Sequence, residues 1–103
     1  MKPVFLHFKD GEGKTVKTYT TCSLKTGTMD LIFDIAERAS ELDKNKLEMK
    51  DVKEFYTDLK ALILKVFSYQ FSLEELNDGV EQDDLMSVFK VLCSRIRGEM
   101  GKN

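Results

Sequence analysis

The spacing of apolar positions along this chain changes period once, near residue 28. Before it, Val4-Phe5-Leu6-His7-Phe8 and Thr15 to Cys22 are rich in β-branched and aromatic residues, and Asp10-Gly11-Glu12-Gly13 between them supplies turn chemistry. This predicts a β-hairpin. Two strands alone are marginal in water, so the face carrying Val4, Leu6 and Phe8 is expected to lie against helices. Beyond it the period is helical. Thr28 is expected to cap a helix over about 29–42, whose apolar set is Met29, Ile32, Phe33, Ala36, Ala39 and Leu42. Asp51 with Glu54 reads as a capping box for a second helix carrying Val52, Phe55, Tyr56, Leu59, Leu62, Ile63, Val66 and Phe67, the strongest amphipathic pattern present and the expected spine of the core. Ser72 with Glu75 reads as another capping box, opening a short helix that stops at Asn77-Asp78-Gly79. A last helix carries Leu85, Val88, Phe89, Leu92 and Ile96 and is expected to end at Arg95, Arg97 and Gly98.

The expected fold is therefore α+β, mainly α: an N-terminal β-hairpin followed by three to four helices around one core. At 103 residues, with 42% hydrophobic and 33% charged residues, the chain has material for one modest core. A single domain over 1–103 is expected, with a hairpin region at 1–25, a helical body at 28–98 and a flexible tail at 99–103. A net charge of −2 gives no cationic field to gather phosphate backbones, so nucleic acid is not an expected partner. No apolar run approaches the roughly 20 residues of a membrane span, and the start of the chain is interrupted too soon for a signal peptide. Cytoplasmic residence is expected, with Cys22 and Cys93 as packing thiols and not a disulfide.

Little in the chain suggests catalysis or a cofactor. His7, the single histidine, sits in the first predicted strand with nothing to pair it with a cysteine nucleophile, and an ordinary strand position explains it. One histidine and two cysteines lack zinc-site spacing. Placing Gly79 at the sixth position of a calcium loop puts Leu76 at the third, where a ligand is needed. Gly13-Lys14-Thr15 ends like a phosphate loop but leads into a strand, so a hairpin turn accounts for it. No catalytic, metal or cofactor-binding residue is assigned, and the protein is not expected to be an enzyme.

Charge placement says more. Glu74, Glu75, Asp78, Glu81, Asp83 and Asp84 form an acidic block with no Lys or Arg among them, and they are the candidate partner-binding residues. The plainer reading is that these acids occupy the first turns of two helices, where the dipole favours each by ~0.3–1 kcal/mol. Leu31, Leu73 and Met86 are candidates for apolar residues left outside the core. Lys2, Lys9, Lys14, Lys17 and Lys25 make the hairpin basic, as edge-protecting lysines do. Such polarity suits head-to-tail contacts, so self-association is a possibility.

The segment from Tyr69 to Leu85 is more specific. Phe71 leads into a capped short helix with Ser72 and Leu76, then the Asp78-Gly79 turn, then an acidic start to the helix of Leu85. In this it resembles the phage tail assembly chaperones of siphoviruses, the lambda G-like family found beside tail tube and tape-measure genes. The rest of the chain is compatible, but the sharp part is this segment. The resemblance implies a non-enzymatic protein that binds the tape-measure protein and helps recruit tail tube subunits in the host cytoplasm, and that is absent from the mature virion. It also implies that a longer form can arise by backward ribosomal slippage, for which Met100-Gly101-Lys102 is a suitable tripeptide if Gly101 is encoded by GGA. The alternative is a small regulatory or nucleic-acid-binding adaptor of a mobile element, which a steep salt dependence of DNA or RNA binding would reveal.

Overall fold

The computed structural model describes residues 2–44 and 48–100, with no account of side chains at residues 43, 44 and 98–100. The hairpin forms as expected: β1 (Val4–Lys9) pairs antiparallel with β2 (Thr15–Thr21), with a bulge between Phe8 and Lys9. Asp10 makes the turn. Its Oδ1 accepts from the backbone N–H groups of Glu12 at 2.9 Å and Lys14 at 3.0 Å. Gly13 takes the left-handed φ of +81° that the reversal needs. Strand alternation puts Val4, Leu6 and Phe8 on one face, all buried, and leaves Phe5 and His7 on the other. The buried face lies against α3 (Leu73–Gly79) and α4 (Gln82–Met100). Arg95 of α4 fastens the approach to β1, donating to the carbonyls of Lys2 at 2.5 Å and Pro3 at 3.3 Å. This is a different role from the helix-terminal charge expected of it.

α1 (Thr26–Lys44) packs on both α2 (Met49–Val66) and α4. Because it faces two neighbours, its buried stripe is Thr28, Ile32 and Ile35, rotated from the predicted one. Ile35 lies outside the predicted set, and Phe33, expected inside, is 41% exposed. Thr28 is not the cap either, since α1 starts earlier and the Lys25 carbonyl accepts from the N–H groups of Thr28 and Met29. The Asp51–Glu54 capping box does not form: the N-cap of α2 is Glu48, without a side-chain cap bond, and Asp51 sits in the first turn. The core stripe of α2 is as expected, with Phe55, Leu59, Leu62, Ile63 and Val66 buried and Phe67 buried at its C-cap. α4 passes through Gly98 to Met100 instead of ending there. Cys22 is exposed, contrary to its expected packing role, because it continues the solvent-facing parity of Thr18 and Thr20. Residues 101–103 of the expected flexible tail, and with them most of the slippage tripeptide, lie outside the described residues.

Two details join the hairpin to the helices. Phe8 packs edge-on to Tyr19 and Phe71, with ring centroids 5.0 and 4.9 Å away, and Phe71 also meets Phe67 at 5.7 Å. Gly79 permits this, because a Cβ there would stand 2.6 Å from Phe8 Cδ2. The connection out of α2 then closes in a Schellman pattern: Tyr69 N–H donates to the Leu64 carbonyl and Ser68 N–H to that of Lys65. Ser68 and Tyr69 both adopt left-handed backbone, φ 55° and 56°, at positions where Gly or Asn would ordinarily serve. That strain, about 1–2 kcal/mol per residue, is offset by the contacts of the next two residues: Gln70 Nε2 donates to the Thr20 carbonyl at 3.0 Å, and Phe71 enters the aromatic cluster.

The molecule is a slab, 39 × 38 × 19 Å, with a radius of gyration of 14.1 Å. A compact chain of this length is expected near ~13 Å, so wide helical faces remain open.

Three substitutions test this arrangement by chemical denaturation. Leu62→Ala should cost ~2–5 kcal/mol, the range for a fully buried leucine; no change would place Leu62 outside the core. Gly79→Ala should destabilise by ~1–3 kcal/mol, since overpacking outweighs the ~1 kcal/mol of helix propensity gained. The same change in a Phe8→Leu background should cost much less. Ser68→Gly should stabilise by about 0.5–1 kcal/mol, the relief of strain exceeding the added entropy of the unfolded chain.

Candidate functional site

The six acids do not form one uninterrupted surface, because the fold brings a lysine into their midst. Lys9, at the end of β1, lies 3.1 Å from Asp84 Oδ2 and 3.5 Å from Glu81 Oε2. Asp84 Oδ2 is shielded from solvent, and the Lys9 ammonium stands against it. Asp84, with Glu81 beside it, holds the Lys9 ammonium above its ordinary pKa. Glu75 is also occupied. The Ser72 capping box forms in full, Ser72 N–H donating to Glu75 Oε1 and Glu75 N–H to Ser72 Oγ, each at 3.1 Å.

Glu74, Asp78 and Asp83 remain. All three are exposed, and none is in an ion pair among the described residues. Glu74 and Asp83 stand in first turns, where the helix dipole favours a carboxylate. Asp78 stands in the last turn of α3, where the dipole opposes it. Helix-end electrostatics therefore explains two of these three and not the third. Leu73, 48% exposed, opens the same short helix, so the patch combines an apolar side chain with carboxylates. Leu31 is also partly exposed, whereas Met86 packs against the core.

The basic hairpin is partly neutralised in the same way. Lys9 is engaged as described, and Lys17 Nζ sits 4.8 Å over the Tyr19 ring. His7 is on the exposed face of β1, its Nδ1 2.9 Å from Thr18 Oγ1, with no cysteine as its partner. Among the described residues no group of three His, Cys, Asp or Glu is placed to hold a metal ion, and no helix is long and apolar enough to cross a membrane.

Sequence reasoning missed a second kind of feature. Between α1 and α4 lies an open groove of about 390 Å³ with an apolar floor, edged by Phe33 on one side and by Lys90 and Arg97 on the other. Its signal was present in the small residues Ala36 and Ala39 on the α1 stripe, which leave space where larger side chains would have closed the helices together.

A family model described as phage tail chaperone protein matches residues 1–103, the whole length. The chain belongs to that family. No curated protein and no solved structure matches it. In this tail chaperone the segment that carried the resemblance works as a clamp: Phe71 fills the aromatic cluster, Ser72 and Glu75 cap α3, Leu76 and Leu85 are buried, and Gly79 admits Phe8. Its sharpest residues hold the fold together, and Leu73, Glu74 and Asp78 beside them are exposed.

Proposed function

We propose that this chain is a non-enzymatic tail assembly chaperone that binds the tape-measure protein and helps bring tail tube subunits to it. It acts in the host cytoplasm and departs before the virion is complete. A long amphipathic helix exposes an apolar stripe until the tube encloses it, and a small helical domain with open faces is suited to cover that stripe reversibly. Family membership supports the general role. The observation that carries a contact surface is Asp78, an exposed carboxylate at the unfavourable end of α3, beside Glu74, Asp83 and the exposed Leu73. A charge kept where the helix disfavours it is suited to intermolecular use.

Co-expression with the tape-measure and tube proteins of the same phage tests this reading. The wild-type chain should keep the tape-measure protein soluble and co-purify with it. Glu74→Lys, Asp78→Lys and Asp83→Lys combined should weaken retention of at least one tail protein by about tenfold or more, most strongly at low salt, with the unfolding midpoint nearly unchanged. Reversing Glu75, Glu81 and Asp84 should instead lower stability, through the lost capping box and Lys9 contacts. Undiminished retention by the first triple variant would return those acids to a role in solubility and helix ends, and failure of the wild type to bind either tail protein would contradict the chaperone reading itself.

A further inference from the structure

The α1–α4 groove has the shape and charge of a helix-binding site. Its floor is made by Ile32, Ala36 and Ala39 on α1 and by Phe89, Cys93 and Ile96 on α4. Each triplet spans seven residues, so the apolar track is about 10 Å long at 1.5 Å per residue, the length of two turns of a third helix laid along it. Polar groups are confined to one edge. Lys90 and Arg97 are seven residues apart on α4, hence on nearly the same side of it and again about 10 Å apart. Neither is in an ion pair with a described residue, although the chain as a whole is net acidic. The opposite edge is Phe33, an aromatic left 41% exposed. Glu37, one turn on from Phe33, flanks that same edge of α1, so the cationic character belongs to the α4 edge alone. Cys93 lies in the floor, where burial pushes its thiol pKa up against the opposing influence of Arg97. It is a packing surface there, half-buried and less readily ionised than a free thiol.

We propose that this groove receives an amphipathic helix of a partner protein, with apolar residues at i, i+3 or i+4 and i+7 in the floor and carboxylates about seven residues apart on the flank facing Lys90 and Arg97. The proposal rests on the chaperone reading for the source of that helix, a segment of a tail protein, and goes beyond it in assigning the surface and the sign of charge. Glu74 and Asp78 of the acidic patch stand on α3, apart from the two helices that line the groove, whereas Asp83 stands on α4, seven residues before Lys90.

The two cysteines allow a direct test with the full-length chain. Cys22 is exposed and far from the groove in sequence and element, so it serves as an internal reference for Cys93. The probes are two synthetic amphipathic peptides with the same apolar stripe, one flanked by Glu and one by Lys, together with the co-purified complex with the tape-measure protein. Alkylation of each cysteine is followed by mass spectrometry in mildly alkaline buffer, and peptide affinity by fluorescence anisotropy. The Glu-flanked peptide should bind roughly tenfold or more tightly than the Lys-flanked one, and should slow alkylation of Cys93 while leaving Cys22 unchanged. Lys90→Glu with Arg97→Glu should reverse that preference at an unchanged unfolding midpoint, and Ala36→Leu, which fills the floor, should weaken both peptides. Equal binding of the two peptides, or a Cys93 that stays reactive when they bind, would overturn the proposal. So would concentration-dependent protection of Cys93 without any partner, which would make the occupant a second copy of this chain. A tape-measure complex that forms with Cys93 still reactive sinks the groove assignment and leaves the chaperone reading standing. Peptide binding in the groove without a tape-measure complex does the reverse.

Discussion

The close approach of Phe8 to Gly79 sets the geometry of this protein. The hairpin cannot be stable alone, and its apolar face is only three side chains long, so it must be seated firmly on the helices. A ring can descend onto α3 only where the helix lacks a Cβ, and Gly79 provides that place. Tyr19 and Phe71 then close on Phe8 from the sides, and reaching that position obliges Ser68 and Tyr69 to take left-handed backbone. Each edge-to-face pair contributes ~0.5–1.5 kcal/mol beyond burial, enough together to hold about the strain of two such residues. The same strained turn puts Gln70 on the Thr20 carbonyl, which occupies part of the open edge of β2 and so limits strand addition there.

Once the hairpin is fixed, Lys9 is carried to the acids at the start of α4, and Arg95 closes on the first residues of the chain. The helices are left to spread into a slab, with α1 touching both α2 and α4 but filling the space to neither side. An apolar groove with a basic edge therefore lies between α1 and α4, and the acidic patch joins Glu74 and Asp78 of α3 to Asp83 at the start of α4.

The elements with strong periodicity were legible in the sequence. The hairpin, the buried stripes of α2 and α4 and the Ser72 capping box come from local chemistry that nothing in the tertiary structure opposes. Family membership was legible too, through the segment from Tyr69 to Leu85. The features that escaped depended on neighbours. Ile35 is buried and Phe33 exposed because α1 packs on two helices, which a single apolar stripe does not encode. The acidic block was divided by Lys9, distant in sequence and delivered only by the hairpin's docking. Asp51 and Glu54 match a capping box in spacing, but α2 begins earlier, at Met49. The Schellman turn at Ser68 carries no glycine to announce it, and the groove is a property of two helices at once.

Hairpin and helices should thus form one cooperative unit, joined at the Phe8–Gly79 contact. Native-state hydrogen exchange tests this most directly. The ladder amides of β1 and β2 should exchange with the same opening free energy, and the same denaturant dependence, as the most protected amides of α2 around Leu62 and Ile63. Hairpin amides that open through a separate, lower-energy event while α2 stays protected would contradict it.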